Sequence, residues 1–178
     1  MDKKLEDALN KVEMTYRDLV EVANGMLAPM FDPINALVGE INTKVNAMPV
    51  DQIRDYILQL QLKAFEIAET KEKAALKAEL AEAIQKEQFA INFNGMDGSA
   101  AVKDKLALVA TSSEIVAETL YNLTSNLLKT KLDQLHRLVD ALKSILMSRM
   151  QETKFMNIGS TPDIPGTTNG RTILNEAR

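Results

Sequence analysis

The sequence has no cysteine, no tryptophan and a single histidine among its 178 residues. The absence of cysteine excludes disulfides, thiolate metal sites and cysteine nucleophiles. A single histidine excludes any metal site that needs several histidines from one chain. Aromatic residues make up only 4% of the chain, so the predicted core consists of Leu, Ile, Val, Ala and Met side chains.

Long apolar runs and a strong net charge are also missing. No run approaches the roughly 18 residues that a membrane-spanning helix needs, and the N-terminal segment lacks the apolar stretch of a secretory signal. We therefore expect no membrane partner and a cytoplasmic location. The formal net charge is −4, which argues against bulk binding of polyanions but permits a locally basic face.

What the sequence does contain is apolar residues at the alternating 4,3 spacing of packed helices. This spacing predicts an all-α, elongated, coiled-coil-like bundle with helices at about 3–24, 33–47, 51–88 and 100–152. The first helix carries the clearest example of the pattern: Leu5, Leu9, Val12, Tyr16, Leu19, Ala23 and Met26. Pro29 and Pro49 are expected to end the first two helices, since proline cannot donate to the helical ladder.

The third predicted helix changes character along its length. Its second half consists of strong helix formers with a thin apolar stripe of Leu76, Leu80 and Ile84. A thin stripe is typical of a solvated helix or of one that projects toward a partner. Beyond it, Phe89, Ile91 and Phe93 alternate with period two, which favours a short strand or an extended connector.

The C-terminal helix would be about 80 Å long if it were unbroken, since each residue adds about 1.5 Å. That length is too great for a compact domain and would require partner chains. The pattern also allows a break, either near residue 110, at the capping box that begins at Thr111, or near residue 125, where the spacing shifts by one. We assign homo-oligomer formation to the apolar seam of this helix: Leu128, Leu132, Leu135, Val139, Leu142 and Leu146.

Residues 153–178 differ in composition from the rest of the chain. Glycine and proline are frequent after residue 158, so this segment is predicted to be an extended C-terminal arm outside a helical domain of residues 1–152. Apolar residues nevertheless recur along it, at Phe155, Ile158, Ile164, Ile173 and Leu174. This spacing favours an arm that docks on a protein partner, and a frayed terminus is the alternative.

The motifs of common enzymes are absent from the sequence. It contains no Gly-x-Ser-x-Gly nucleophile elbow and no phosphate-binding loop. His136 shares a helix face with Asp133 and Asp140, but a di-iron bundle site needs a second such pair on another helix. We therefore predict a non-enzyme with no catalytic residues, cofactor or metal.

Residues 71–150 resemble the UvsY-type recombination mediators of large tailed phages in the order of their elements. The resemblance is carried by the helix Lys73-Ala74-Ala75-Leu76-Lys77-Ala78-Glu79-Leu80, the glycine-bearing loop at 94–98, and a long helix. That helix closes with Asp140-Ala141-Leu142-Lys143-Ser144-Ile145 and Ser148-Arg149. The resemblance implies a helical ring that binds single-stranded DNA and loads a recombinase, with Lys143, Arg149 and Lys154 facing the DNA.

Three functional hypotheses follow. The first is a non-enzymatic, self-assembling structural or assembly component of phage type, located in the host cytoplasm or in the virion. The second is a mediator-like oligomer that binds single-stranded DNA and a recombinase. The third is a monomeric bundle that binds one protein partner through its C-terminal arm.

Overall fold

The fold is all-α, as the sequence predicts. The computed structural model describes the backbone of residues 3–159 and the side chains of residues 12–154. Within that range it contains four helices and no strand: α1 (Lys3–Lys44), α2 (Val50–Gly95), α3 (Ala100–Ala110) and α4 (Ser112–Gly159). At about 1.5 Å per residue, the three long helices each run for about 60–70 Å.

The three long helices alternate in direction. The helices α2 and α4 are antiparallel and share the most extensive contact: Arg54 lies against Met150 at one end, and Lys77 lies over the ring of Tyr121 toward the other. The helix α1 runs parallel to α4, with Asn35 accepting a hydrogen bond from the Lys131 ammonium. The short helix α3 packs against the C-terminal part of α2.

The first two predicted helices are in fact one. The helix α1 continues through Pro29 and Pro33, so the predicted helix end before Pro29 is wrong. Both prolines lie on the exposed face, where the carbonyls that they leave without a donor can bond to water. The buried face continues across them, from Leu27 to Ile34 to Ile41, and its burial outweighs the lost backbone hydrogen bonds.

The helix α2 extends to Gly95 rather than ending near residue 88. The predicted strand or connector at Phe89, Ile91 and Phe93 is therefore wrong. Phe89 and Phe93 are four residues apart, and their rings stack one helical turn apart with centroids separated by 6.1 Å. The chain leaves α2 through a short loop in which Gly98 adopts a φ of 123°, a conformation that glycine tolerates and other residues rarely adopt.

The long C-terminal helix is broken at Thr111, the first of the two break positions that the sequence allowed. The Thr111 hydroxyl lies 3.1 Å from the Ala107 carbonyl and 3.4 Å from the Leu108 carbonyl, and Gln85 of α2 contacts it at 3.4 Å. No break occurs near residue 125. Because α1 and α2 of the same chain run beside α4, its length does not require partner chains.

The C-terminal end of α4 lies further along the chain than expected. The helix continues to Gly159, so the predicted start of an extended arm at Thr153 is wrong. Residues 151–158 contain neither glycine nor proline, and the Thr153 hydroxyl donates to the Arg149 carbonyl at 2.9 Å within the helix. Glycine and proline interrupt the sequence only from residue 159 onward.

The core lies in one half of the bundle, which we call the core half (residues 27–74 and 125–154). Helices α1, α2 and α4 all contribute large side chains to a single cluster there. Its fully buried members are Ile34, Ile41, Ile53, Leu60, Ile67, Leu128, Leu135 and Leu142. Burying a side chain of this size contributes about 1.5–3 kcal/mol, so this cluster is the main source of packing stability.

The other half, which we call the open half (residues 12–26 and 75–124), contains no such cluster. Its buried side chains in the described part of the chain are all small: Ala23, Ala78, Ala81, Ala107, Thr111 and Thr124. Small residues let helix backbones approach closely but bury little apolar area. Most of the large apolar residues of the open half are exposed, and the others are half-buried.

Candidate association surface

The apolar seam of α4 lies in the core of the same chain. Leu128, Leu135, Val139 and Leu142 are at most 3% exposed, and Leu132 and Leu146 pack against the same cluster. The assignment of these residues to a homo-oligomer contact is therefore corrected. The 4,3 spacing did predict a buried face, but α1 and α2 of the same chain cover it.

The side chains of the five residues predicted to dock the C-terminal arm lie outside the described part of the chain. Phe155 and Ile158 lie in the last turns of α4, with side chains outside the described range. Ile164, Ile173 and Leu174 lie outside the described residues altogether. Docking by residues 160–178 stays a prediction.

The three residues predicted to face DNA are not brought together as one surface. The Arg149 guanidinium donates to the carbonyls of Val45 and Asn46, both at 2.8 Å. These carbonyls follow the end of α1, where backbone acceptors lack helical partners. Arg149 thus ties α4 to the turn between α1 and α2.

Lys143 and Lys154 are both exposed on α4. Lys143 lies 3.5 Å from the carboxylate of Asp140, which offsets its charge. At about 100° per residue, Lys143 and Lys154 share one side of α4, whereas Arg149 points toward α1. Of the three predicted residues, Lys143 and Lys154 are therefore exposed on one side of α4, and Arg149 is directed toward α1.

The open half presents an unusual amount of apolar side chain to solvent. Of the twenty large apolar side chains that are exposed within residues 12–154, fifteen lie in this half. Every helix contributes: Val12, Met14, Tyr16, Val22 and Met26 on α1; Leu76, Leu80, Ile84 and Ile91 on α2; Val102, Leu106, Leu108 and Val109 on α3; Ile115 and Val116 on α4. Val109 is the most exposed of these, at 72%.

The N-terminal part of α1 illustrates how this exposure arises. Val12, Tyr16 and Leu19 continue the same 4,3 spacing that is buried further along α1 in the core half. Here they line an open groove whose α4 side is formed by Thr119. Threonine fills little space, so the groove stays uncovered and Val12 and Tyr16 remain exposed.

The core half has one smaller exposed apolar patch. Phe65 of α2 is 74% exposed and lies beside a hollow that Leu132, Val139 and His136 of α4 help to line. A second, shallow hollow lies on the other side of Phe65, against Leu62 and three glutamates of α2. Both hollows are lined by apolar and charged side chains together.

A polar network with resolved pKa shifts lies between α1 and α2 in the core half. Lys44 donates to the Glu40 carboxylate at 2.7 Å, and this hydrogen bond, together with one from Tyr56 of α2, holds the pKa of Glu40 below its ordinary value. The same contact raises the pKa of Lys44. The hydrogen bond to Glu40, followed by burial, raises the pKa of Tyr56.

Metal and membrane sites were searched within the described residues. No group of His, Cys, Asp or Glu side chains there is arranged to hold a metal ion. None of the helices in that range is long and apolar enough to cross a membrane. In comparisons with known proteins, no family, no curated protein and no solved structure matches this chain.

Sequence reasoning missed part of the exposed surface. It identified the thin stripe of Leu76, Leu80 and Ile84, but not Leu58, Leu62 and Phe65 on the same helix face. The signal was present, because these three residues have 4,3 spacing of their own beside the buried positions of α2. When a helix carries apolar stripes on two opposite faces, one stripe can pack within the chain and the other remains exposed.

Proposed function

We propose that this protein is a non-enzymatic helical assembly component that associates with copies of itself through the open half. The observation that carries the proposal is the exposure of fifteen large apolar side chains in that half. A setting in a phage follows from the resemblance in residues 71–150 and is part of the proposal on that ground alone.

The amount of exposed apolar surface supports association. At on the order of 100 Å² for each half-exposed large side chain, the open half presents on the order of 1,000 Å² of apolar surface. These side chains are distributed over all four helices, so this area is a total for the open half. A partner in a standard interface buries roughly 800 Å², so the open half has enough surface for at least one such interface.

The interior of the open half gives a second reason. Its buried residues are alanines and threonines, so its helices gain little from packing against each other. Association would bury the large side chains that the chain itself leaves exposed. We therefore expect the open half to become more rigid in the assembly than in the single chain.

The mediator hypothesis gains no support from Arg149 and Lys143. Arg149 is engaged with the backbone of residues 45 and 46, and Lys143 lies beside Asp140. Both contacts reduce the charge available to a phosphate backbone. Single-stranded DNA binding is therefore kept as an outcome of the experiment rather than as a second proposal.

The proposal is tested by absolute mass from light scattering across a range of protein concentrations. We expect a multiple of the chain mass that persists at high sodium sulfate, since this salt strengthens apolar burial. A double variant, Val12→Asp and Val109→Asp, should reduce the mass. The control is Met147→Asp, which introduces one such charge at an exposed apolar residue of the core half and should leave the mass unchanged.

Two results would contradict the proposal. One is the mass of a single chain at every concentration. The other is an oligomer that forms only with a labelled single-stranded oligonucleotide and dissociates as salt rises, which is the behaviour of phosphate-driven binding and would favour the mediator hypothesis.

A further inference from the structure

The helix α2 carries an apolar stripe on the face opposite its buried face. We call this set the outer stripe: Leu58, Leu62, Phe65, Leu76, Leu80 and Ile84, all exposed. At about 100° per residue, its members fall within an arc of about 100°. The buried residues of α2, among them Leu60, Ile67 and Ala78, lie on the opposite side, so this chain leaves the outer stripe uncovered.

The outer stripe is nearly symmetric about its centre. Leu58 and Ile84 lie 13 residues before and after Lys71, and Leu62 and Leu80 lie 9 residues before and after it. The two remaining members lie 6 residues before and 5 residues after. A helix with this arrangement presents the same pattern when it is turned end over end, which is the requirement of a two-fold symmetric contact.

We propose that the outer stripe pairs with the outer stripe of a second copy, with the two α2 helices antiparallel and the two-fold axis at Lys71. This inference rests on the proposed self-association and assigns to it one interface, which extends along α2 from the open half into the core half. In this register Leu58 of each copy lies opposite Ile84 of the other, and Leu62 lies opposite Leu80.

The charges near the centre agree with the antiparallel register. Glu69 and Lys73 lie two residues before and after Lys71 and already form an ion pair of 2.6 Å within each chain. The register places each Glu69 opposite Lys73 of the other copy, so the two pairs form a four-membered network of alternating charge. A parallel, in-register pairing would instead place each glutamate opposite a glutamate, which is unfavourable.

One pair of charges opposes the register and provides a test. Asp55 and Glu87 lie 16 residues before and after the centre, both on the outer face and both exposed. The antiparallel register places them opposite each other, beyond the apolar positions. Replacing Asp55 with lysine would turn this repulsion into attraction at both ends of the interface.

The area is adequate for a homodimer of modest stability. Six side chains at on the order of 100 Å² each give about 600 Å² per copy, and the stems of the flanking Lys and Glu side chains add to it. This approaches the roughly 800 Å² per partner of a standard interface. The shallow hollow between Leu62 and Phe65 gives a leucine of the second copy a place to insert.

Cross-linking of single-cysteine variants tests the register, and the absence of native cysteine makes each variant specific. In the proposed dimer the two copies of residue 72 lie about 3 Å apart along the helix axis, whereas the two copies of residue 79 lie about 24 Å apart. Both positions are exposed glutamates. A short thiol cross-linker should therefore join the Glu72→Cys variant and leave the Glu79→Cys variant unjoined.

Equal cross-linking at both positions would overturn the antiparallel register. Cross-linking at neither position, in a protein whose mass is still a multiple of one chain, would overturn this interface but leave the proposed self-association intact. A wild-type mass of one chain at every concentration would overturn both.

Affinity provides a second, independent test by sedimentation over a dilution series. Asp55→Lys should tighten the dimer about tenfold, because two opposed charges change from repulsive to attractive. Leu62→Glu combined with Leu80→Glu should weaken it about 100-fold or more, while Met147→Glu serves as the exposed apolar control on α4. A dimer that Asp55→Lys leaves unchanged or weakens would contradict the register, whatever the leucine variants do.

Discussion

The two halves of the bundle are built from the same long helices but bury different side chains. In the core half, α1, α2 and α4 place Leu and Ile at the positions where they meet. In the open half the buried positions of the described residues are Ala and Thr, while most of the large apolar residues are exposed. The first half is therefore the main source of packing stability, and the second carries most of the exposed apolar side chains.

The comparison also shows why a helix can carry its apolar pattern beyond the region where it packs. The apolar face of α1 is continuous from Val12 to Ile41, yet only the part from Leu27 onward belongs to the large core cluster. What changes is the neighbour, since α4 presents Thr119 to the early part of α1 and leucines to the later part. A regular pattern on one helix therefore marks a face that can be buried, and its neighbours decide where burial occurs.

Introducing a charge should give the largest difference between the two halves in the free energy of unfolding that is lost. Leu135→Asp places a carboxylate at a position that is 1% exposed, and we expect a loss of about 4 kcal/mol or more in the free energy of unfolding. Val109→Asp puts the same charge at a position that is 72% exposed and should cost less than about 0.5 kcal/mol. Urea unfolding followed by circular dichroism measures both, at a concentration where the chain is monomeric. Similar losses in the two variants would remove the distinction between the halves.

Overpacking should show that the open half depends on small residues. Ala78→Leu adds three carbon atoms where α2 packs closely in the open half, at a position that is 4% exposed, and we expect a cost of about 1–3 kcal/mol. The control is Ala90→Leu, which changes the same residue type at an exposed position of α2. Hydrogen exchange should localise the loss of protection to the open half. An Ala78→Leu variant as protected as the wild type would mean that α2 has room for larger side chains there.

Removal of Arg149 should destabilise the core half where α4 contacts the turn between α1 and α2. Arg149→Ala leaves two backbone carbonyls without their donor, and we expect a loss of about 1–3 kcal/mol in the free energy of unfolding. Lys154→Ala, an exposed cation one and a half turns further along α4, is the control and should be neutral. The same two variants distinguish a structural role of Arg149 from a role in DNA binding. Unchanged stability of Arg149→Ala together with lost binding to an oligonucleotide would support the mediator hypothesis.

The fold was largely predictable and the site was not, for physical reasons that particular residues show. Periodicity located the buried faces around Leu60 and Leu135 correctly, because an apolar face is buried wherever the covering helix comes from. It assigned the wrong partner to Leu135, because spacing does not distinguish a neighbour in the same chain from one in another. The helix end predicted before Pro29 was wrong for a related reason. Proline disfavours an isolated helix, but the local sequence does not show that α1 packs against the core both before and after Pro29.

The smallest expected effect concerns the polar network of Glu40, Lys44 and Tyr56, which joins α1 to α2 in the core half. The pKa of Glu40 is lowered from 4.5 in the folded chain, so its contribution is present above 4.5 and is lost as the pH falls through the lowered value. The pKa values of Lys44 and Tyr56 are raised from 10.5 and 10.0, so their contributions are lost as the pH rises through the raised values. The stability difference between the wild type and Glu40→Gln should therefore be constant between about pH 5 and pH 9 and shrink on both sides.

Hydrogen exchange in that range should show the change in the core half alone, with Glu82→Gln as the control, since Glu82 pairs with Lys86 on the same helix in the open half. A difference that grows toward acid pH, or that spreads equally through both halves, would mean that this network does not hold α1 to α2.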